Sequence, residues 1–363
     1  MGKKVRAAVL ESKSRIVIRE FDLPEIGPDD GLLKVEMVGV CGTDPKLYSG
    51  LVKYADFPLI LGHEVLGRID RIGNKASKRW GVKEGDRVVL EHFIPCGECH
   101  NCLQGNYRFC KNMIAYGMFI SCSTPPYLWG GYAEYMYLAP KSIPYKLSED
   151  VPAEAGALIS GVVSNAIRWG RMKGDFCIGD AVVIQGVGQQ GLCQIMVAKE
   201  SGCNPVIATG ISSDSQRFQL AKEFGADYVV DVEREDVIAR VKDITDGEMA
   251  DVVVDVAGST KAIPVSVDLV KNGGTLVVPA VTGTETVTPL IVDKIVHKEI
   301  KFQGVFSSDA TCMKRAIKLV ESRKYPLEKI VSHKYPLEEA DKAVKTAGGY
   351  IKDIRPTKCV IVP

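Results

Sequence analysis

The feature that most constrains the fold is a glycine-rich turn between an apolar run and a helical pattern. The segment AVVIQGVGQQG holds Gly186, Gly188 and Gly191, with Val187 and Gln189 between them. After a strand and before a helix, the first glycine allows a tight turn. The second lets a pyrophosphate approach the backbone, and the third allows close packing of helix on strand. The helix N-terminus attracts the phosphates. We predict a dinucleotide site here; a glycine turn without a ligand is the alternative.

The order of elements around this turn predicts a parallel sheet. From residue 151 onward apolar runs alternate with amphipathic segments, and a helical pattern covers 153–169. Strands that alternate with helices form βαβ units, whose right-handed crossovers build a doubly wound Rossmann sheet. The predicted elements that follow are AVVIQGVG, QQGLCQIMVAKESG, NPVIATG, SDSQRFQLAKEFGA, YVVDV, DVVVDVAG, GGTLVVPAV, IKFQGVF and MKRAIKLVESRK.

The first part of the chain, to about residue 150, has a different pattern. Short β-like runs are broken by turn residues, as in an all-β, barrel-like domain. These runs include VRAAVL, RIVIRE, GLLKVEMVGV and GDRVVLEHF, and the chain returns to short strands in its last segment, KCVIVP. The sequence therefore predicts an α/β protein with a β-rich domain and a parallel-sheet domain.

Bulk properties restrict the partners. With 363 residues, 46% hydrophobic and 25% charged, the chain has globular composition and the length of two domains. A net charge of +1 gives no electrostatic basis for binding nucleic acid. We also expect no membrane span, since no apolar stretch of about 18 residues is present. The N-terminal segment lacks the apolar core of a secretion signal, so we expect a cytoplasmic protein that acts on a small molecule.

Four of the eleven cysteines crowd into one segment. The spacing Cys-x2-Cys-x2-Cys-x7-Cys suits a closed tetrahedral zinc site, which ties down a loop and leaves no position for chemistry. An iron–sulfur cluster is the main alternative. Ferredoxin-type sites place the fourth cysteine after three residues and before proline, whereas here it follows after seven and precedes Lys111. Four unrelated buried thiols are the third interpretation. The cysteines are Cys96, Cys99, Cys102 and Cys110.

The end of the next predicted strand bears on which dinucleotide binds. An acidic residue that holds the adenosine ribose usually stands there, but this chain has Gly210, followed by Ser212. Without a carboxylate, the repulsion of a 2′-phosphate is removed, and Arg217 or the serine hydroxyls are candidate phosphate contacts. A surface role for Arg217 and a replacement acid, Asp214, are the alternatives. We predict NAD or NADP, with a slight preference for NADP.

Two further motifs, VGVCGTD and LGHEVLG, lie in the β-rich part. They contain Cys41 and His63, whose side chains are zinc ligands in many proteins. A single buried cysteine or histidine is usually structural. Together with Asp44, Glu64 and a dinucleotide turn elsewhere, however, they form a plausible metal centre.

The chain resembles the zinc-dependent medium-chain dehydrogenase/reductase superfamily, the alcohol dehydrogenase type, over essentially its whole length. The matching motifs are CGTD, GHEVLG, the four-cysteine segment, GGYAEY and GVGQQG. The resemblance implies a GroES-like catalytic domain, 1–158 completed by 312–363, and a Rossmann domain, 159–311, with the active cleft between them. It also implies a homodimer or homotetramer.

Site roles follow from the same resemblance. Cys41 and His63 would be ligands of a catalytic zinc, and Glu64 would be a nearby or alternating ligand. Asp44 would hydrogen-bond the far nitrogen of His63. Thr43 would carry the hydroxyl that links the substrate oxygen to solvent. Lys46 stands where many relatives have the histidine that ends the proton relay; it could take that role if its pKa were lowered, but we favour a solvated or phosphate-facing lysine.

The chain departs from the family at the usual third zinc ligand. In AGALISGVVSNAIRWG the matching position is Ser160 or Gly161, and neither is a normal zinc ligand. Glu64 completes the site, water fills the gap, or the zinc is weakly held or absent; we rank these accounts in that order. The function implied is zinc-dependent interconversion of an alcohol and an aldehyde or ketone with NAD(P). Alternatives are a zinc-independent enoyl or quinone reductase of the same fold and a non-catalytic dinucleotide-binding sensor.

Overall fold

The computed structural model describes residues 4–52, 55–280 and 286–363. The chain divides into two compact units, Met1–Gly161 with Ser308–Pro363, and Val162–Ser307. The domain limits given above, 1–158 with 312–363 and 159–311, stay a prediction about which segments fold together. Among the described residues, no helix has both the length and the apolar character needed to cross a bilayer.

The strands follow the predicted order, with a β-rich first part, a middle part that alternates with helices, and a short return. They are β1 (Lys4–Ser12), β2 (Arg15–Asp22), β3 (Gly31–Gly39), β4 (Leu59–Ile60), β5 (Glu64–Ile72), β6 (Arg87–Leu90), β7 (Phe93–Ile94), β8 (Ile114–Ala115), β9 (Tyr135–Leu138), β10 (Pro144–Lys146), β11 (Val182–Gln185), β12 (Val206–Gly210), β13 (Tyr228–Asp231), β14 (Ala250–Asp255), β15 (Val270–Val278), β16 (Lys301–Gly304), β17 (His333–Pro336) and β18 (Cys359–Val362).

Most helices of eight or more residues lie in the second unit. The α-helices are α1 (Thr43–Tyr48), α2 (Asn74–Trp80), α3 (His100–Leu103), α4 (Ala153–Ala157), α5 (Ser164–Ala166), α6 (Gln189–Glu200), α7 (Ser215–Glu223), α8 (Val237–Ile244), α9 (Ala262–Leu269), α10 (Val292–His297), α11 (Ala310–Glu321) and α12 (Ala340–Ala347). Short 3-10 turns cover Tyr107–Phe109, Ser212–Asp214, Leu327–Ile330 and Leu337–Glu339, and wider π turns cover Ile159–Val163 and Ile167–Lys173.

The first unit is the predicted β-rich domain. Its main sheet has the order β10-β6-β5-β3-β18-β17, with β9 also paired to β3, and a smaller sheet has the order β2-β1-β4. The C-terminal strand β18 runs antiparallel to β3, with Val360 opposite Gly39. The strand β5 lies on the other side of β3 and places Glu64 opposite Gly39. Three strands that are distant in sequence therefore meet beside Glu64.

The second unit is the predicted doubly wound sheet. Its strand order is β13-β12-β11-β14-β15-β16, and all five pairings are parallel. Val182, Val183 and Ile184 of the central strand β11 are fully buried. Parallel strands that are covered on both faces appear in a sequence as continuous apolar runs. For this reason the sequence pattern predicts this sheet.

Two predicted elements differ in detail. The run GDRVVLEHF is not one strand, because β6 ends at Leu90 and β7 begins at Phe93, which leaves Glu91 and His92 between them. The helical pattern over 153–169 is a short α-helix followed by π turns. A π turn adds one residue to a helical turn and is frequent at functional sites. Apolar spacing alone does not reveal such a change.

Candidate metal centre and dinucleotide site

Cys41, His63 and Glu64 form a compact cluster in the first unit. One ligand atom from each lies within 4.8 Å of the others, and the cluster is largely buried. Cys41 follows the end of β3, and His63 immediately precedes β5. Because β3 and β5 are antiparallel with Gly39 opposite Glu64, the end of one strand lies beside the start of the other. The sheet register thus brings the two sequence motifs together.

Asp44 anchors this cluster in a different way from that predicted. Its fully buried carboxylate accepts hydrogen bonds from the Cys41 amide at 2.8 Å and from the Tyr132 hydroxyl at 2.9 Å, both on Oδ2. Its Oδ1 lies 3.6 Å from His63 Nδ1, which is too long for a hydrogen bond. The predicted Asp44–His63 hydrogen bond is therefore absent. The amide and the tyrosine fix the carboxylate, and the imidazole is only in electrostatic contact with it.

Sequence reasoning missed Lys358, which forms a buried ion pair with Glu64. The Lys358 and Glu64 side chains are 0% and 1% exposed, and the ammonium donates to Glu64 Oε2. It also donates to the Val40 carbonyl at 3.0 Å. The available signal was a lysine directly before the apolar C-terminal strand β18. The partner lies 294 positions away in sequence, so local pattern could not identify it.

The structure also explains how the chain accommodates the missing third ligand. Ser160 is 2% exposed, and Gly161 lies against the Glu64 side chain. A Cβ atom placed on Gly161 would overlap the Glu64 carboxylate, with Oε1 as its nearest atom. The Glu64 carboxylate therefore occupies the space that a ligand side chain at position 161 would take.

The electrostatics of the cluster fit a divalent cation. Burial, with added repulsion from Glu64 and Asp44, raises the pKa of the Cys41 thiol to about 12. Burial also raises the pKa of Asp44. Three buried atoms of the cluster, Asp44 Oδ1, His63 Nδ1 and Glu64 Oε1, have no hydrogen-bond partner. Unpaired buried acceptors are costly, and a metal ion would stabilise the thiolate and carboxylate together.

The remaining predicted catalytic residues lie on α1. Thr43 begins this helix, and its hydroxyl oxygen is 3.8 Å from Cys41 Sγ. The structure thus brings Thr43 to the cluster. Lys46 lies in the last turn of α1 with a partly exposed side chain.

A second imidazole, which the sequence reasoning did not single out, lies beside the cluster. The ring centres of His92 and His63 are 5.6 Å apart. His92 Nδ1 lies 3.2 Å from the buried Glu91 carboxylate. Tyr107, from the four-cysteine segment, donates to the other Glu91 oxygen at 2.7 Å. Three charged or polar side chains thus connect the cysteine segment to the surroundings of His63.

The four predicted cysteines converge as well. Their sulfur atoms all lie within 4.8 Å of one another, with 3.8 Å between Cys96 and Cys102 and 3.5 Å between Cys99 and Cys102. Four sulfurs at about 2.3 Å from one zinc ion are separated by about 3.8 Å. In an iron–sulfur cluster the four thiolates would be shared among two or four iron atoms, and they could not all lie this close to one another. The geometry therefore fits a single tetrahedral ion.

The glycine turn in the second unit has the shape needed for a pyrophosphate. Gly186 has a φ of +100°, a region that favours glycine. A Cβ on Gly191 would overlap the Gly186 carbonyl, whereas no described atom lies within 4 Å of a Cβ on Gly188. The turn is followed by the twelve-residue helix α6, which begins at Gln189 and directs the positive end of its dipole towards the turn. Val187, between the glycines, is buried.

At the end of β12, the predicted phosphate contacts already have carboxylate partners. Arg217 donates to Asp214 at 2.8 Å. The Ser212 hydroxyl donates to Asp231 at 2.7 Å, and its amide donates to Glu233 at 2.9 Å. Neither Ser212 nor Arg217 presents an uncompensated donor to a 2′-phosphate in this arrangement, which weakens the reasoning that favoured NADP.

The fold and the two sites define a metal-binding, dinucleotide-dependent dehydrogenase. Residues 27–149 match the family model of the alcohol dehydrogenase GroES-like domain, and residues 191–322 match that of the zinc-binding dehydrogenase. A probable alcohol dehydrogenase of Mycobacterium tuberculosis H37Rv is 39% identical over 368 aligned positions, covering 100% of this chain and 99% of the relative.

Solved structures agree with this assignment. An alcohol dehydrogenase from Thermotoga maritima superimposes with a TM-score of 0.91 at 29% identity, covering 100% of both chains. A zinc-binding dehydrogenase from Sinorhizobium meliloti, bound to NADP, gives 0.88 at 27% identity, covering 99% of this chain and 100% of that one. The chain belongs to the zinc-type medium-chain dehydrogenase/reductase superfamily, and it is an oxidoreductase of the alcohol dehydrogenase type.

Proposed function

We propose that this oxidoreductase interconverts an alcohol and its aldehyde or ketone at a zinc ion held by Cys41, His63 and Glu64. The observation that carries the proposal is the position of the Glu64 carboxylate. It lies within 4.8 Å of the other two ligand atoms and takes the space left by Gly161. Of the three accounts of the missing ligand, we therefore favour the one in which Glu64 completes the site.

Charge balance supports the same ligand set. The Cys41 sulfur and the Glu64 carboxylate belong to the cluster, and the Asp44 carboxylate and the Lys358 ammonium lie beside it. All four groups are largely buried. With a thiolate, the Glu64 and Asp44 carboxylates and the ammonium, one dication makes the sum of charges zero. Without it, buried negative charge is left uncompensated, which is costly in a low-dielectric interior.

The chain's own residues position the substrate and move its proton. When bound, zinc acts as a Lewis acid that lowers the pKa of an alcohol oxygen, and the nicotinamide coenzyme accepts or supplies the hydride. Asp44 fixes the Cys41 backbone through the amide hydrogen bond, so the thiol is held in place. We assign the Thr43 hydroxyl, 3.8 Å from the Cys41 sulfur, the role of a relay that accepts the substrate proton and releases its own towards solvent. Lys46 as the end of the proton relay stays a prediction.

The dinucleotide would lie on the glycine turn, with Gly188 leaving room for the pyrophosphate. For the coenzyme we propose NAD and no longer favour NADP, because Ser212 and Arg217 are engaged with carboxylates. The four-cysteine segment would hold a second, structural zinc ion. Its role would be to stabilise the loop and not to take part in the reaction.

Metal counting combined with two cysteine variants tests this function. We expect two zinc ions per chain and oxidation of alcohols with a dinucleotide. Cys41→Ser should lose one zinc and turnover while the fold persists, and Cys96→Ser should lose the other zinc and thermal stability. Cys177→Ser is the matched control, because Cys177 is exposed and outside both clusters.

Three results would contradict the proposal in distinguishable ways. One zinc per chain with alcohol oxidation intact in Cys41→Ser would exclude the mechanism. Reduction of polarised C=C bonds without the second zinc would favour an enoyl or quinone reductase. Dinucleotide binding without turnover on a panel of alcohols and aldehydes would favour a sensor.

We further propose a homodimer formed through the edge of the parallel sheet. Among the residues that the structure describes, the outer strand β16 pairs only with β15, and its Phe302 is exposed. An unpaired strand edge with an apolar side chain is suited to pairing with a second copy. Light scattering on purified protein should show a dimer or a tetramer built from dimers, and Phe302→Glu should shift it towards the monomer. A monomeric wild type would overturn this.

We also propose a cytoplasmic location. None of the eleven cysteines forms a disulfide in the structure, and a reducing compartment keeps thiols in the reduced form that binds metal. Cell fractionation checks this, and recovery in an oxidising compartment would contradict it.

A further inference from the structure

We propose that Glu233 supplies the carboxylate that receives the adenosine ribose 2′-hydroxyl, replacing the acidic side chain missing at Gly210, and thereby selects NAD over NADP. The inference rests on the proposed function, because it presumes a dinucleotide on the glycine turn. It identifies a residue that determines coenzyme specificity, which directly follows β13 and which the sequence analysis did not single out.

Gly210 lies directly beside the glycine turn. The Gly186 amide donates to the Thr209 carbonyl at 2.9 Å. A Cβ on Gly210 would lie 3.0 Å from the Val187 side chain. A coenzyme whose pyrophosphate occupies the turn therefore places its adenosine ribose near the end of β12, which is the usual position in this fold.

The chain leaves no room for an acidic side chain at position 210 itself. A Cβ there would also lie 2.8 Å from the Phe218 ring and 3.1 Å from Asp214 Oδ2. These contacts are shorter than ordinary van der Waals separations. A carboxylate for the ribose must therefore come from another part of the same sheet edge.

The neighbouring strand β13 provides it. β12 and β13 are parallel, with Gly210 opposite Asp231, and the Val232 amide donates to the Gly210 carbonyl at 2.9 Å. The carboxyl ends of both strands thus lie at one edge. Glu233 follows directly, and its Oε2 accepts the Ser212 amide at 2.9 Å. The Glu233 side chain is therefore hydrogen-bonded to the backbone amide that lies two residues after Gly210 in the chain.

Of the three carboxylates in this corner, Glu233 is the one available to a ligand. Asp214 is 8% exposed and already accepts the Ile211 amide and Arg217. Asp231 accepts the Ser212 hydroxyl on one oxygen and the Glu233 amide on the other. Glu233 is exposed. Within the described ranges only its Oε2 accepts a protein hydrogen bond, so Oε1 can accept one from a ribose hydroxyl.

The same arrangement disfavours NADP. A 2′-phosphate carries roughly −1.5 to −2 charge near neutral pH. It would enter a corner that contains the negatively charged, exposed Glu233 carboxylate. Its possible counter-charge, Arg217, is already paired with Asp214. A ribose hydroxyl, in contrast, donates to the carboxylate at no electrostatic cost.

The experiment measures coenzyme binding by the full chain, with no turnover required. Dissociation constants for NAD, NADP and 2′-deoxy-NAD would be obtained by calorimetry for wild type, Glu233→Gln and Glu233→Ala. A hydrogen bond to a charged group corresponds to about 10- to 100-fold in affinity. We expect NAD to bind wild type at least tenfold more tightly than NADP. Both variants should weaken NAD by about 10-fold or more and leave 2′-deoxy-NAD unchanged. In both variants the difference in affinity between NAD and NADP should become smaller or change sign.

Glu248→Gln, an exposed carboxylate elsewhere in the second unit, is the matched control and should leave every constant unchanged. The inference is overturned if wild type binds NADP more tightly than NAD. It is also overturned if Glu233→Gln changes NAD and 2′-deoxy-NAD equally or leaves both unchanged. Because binding is read without turnover, failure of the alcohol dehydrogenase proposal would appear in the activity and metal measurements, and failure of this inference would appear here.

Discussion

Replacement of Lys358 by methionine tests the buried charge arrangement directly. The Lys358 ammonium donates to Glu64 and, at 3.0 Å, to the Val40 carbonyl, and both charged side chains are almost fully buried. Methionine is close to lysine in length and carries no charge. The substitution Lys358→Met therefore removes one partner of the ion pair, and the Glu64 carboxylate stays buried.

The expected effect is large. Removal of one partner of a buried ion pair costs about 3–5 kcal/mol, because the remaining charge is uncompensated. For a unit of this size, 1 kcal/mol corresponds to about 2–4 °C in Tm, so the first unit should melt about 6–20 °C lower. The double variant Lys358→Met with Glu64→Gln should recover most of this loss. Lys352→Met, an exposed lysine in the same segment, should change little.

Thermal and urea unfolding of metal-free and zinc-loaded protein would measure these differences. If Glu64 is a zinc ligand, the metal compensates its charge. The loss caused by Lys358→Met should then be smaller with zinc than without it. A Lys358→Met variant within about 1 kcal/mol of wild type in the metal-free form would refute the reasoning, since surface pairs are worth no more than that.

Two further predictions concern the second unit. Gly188→Ala should fold normally yet bind the dinucleotide more weakly, whereas Gly191→Ala, whose Cβ would overlap the Gly186 carbonyl, should lower Tm. Calorimetry would measure dinucleotide binding, and melting curves would measure the stability of both variants. Equal losses of stability in the two variants would contradict the prediction. Burial raises the pKa of Asp255 to about 6 from 3.8, so the native state binds this proton more tightly than the unfolded chain. Stability is then lost as pH rises through about 4 to 6, by about 3 kcal/mol. The free-energy difference between Asp255→Asn and wild type should grow by that amount over this window in urea titrations, and a constant difference would contradict the assignment.

Much of the fold followed from local sequence pattern. The glycine turn, each parallel strand and the four-cysteine spacing lie within short segments. The residue types in each segment are enough to indicate its local geometry. Gly191 has to be a glycine because the Gly186 carbonyl lies where its side chain would be. The cysteines read as a metal site because few other structures need four thiols so close together.

The partners of charged groups did not follow from the sequence. The residue type of Arg217 suits a phosphate, but the folded chain pairs it with Asp214. The resemblance predicts that Asp44 contacts His63, but the Cys41 amide and Tyr132 hold its carboxylate. In each case several partners were chemically acceptable. Only the three-dimensional arrangement shows which of them is within hydrogen-bond distance.

The departure at position 161 and the lysine at 358 belong to one arrangement. A Cβ on Gly161 would overlap one side of the Glu64 carboxylate, and a Cβ on Gly39 would overlap the other side and lie 2.9 Å from Lys358 Cε. Two glycines thus create the space in which an acid and a base can pair inside the protein. A side chain at 161 that served as a ligand would displace Glu64 and leave the Lys358 ammonium without its partner. On the proposed ligand set, the Glu64 carboxylate compensates for the absent third ligand, and Lys358 is positioned by the same arrangement.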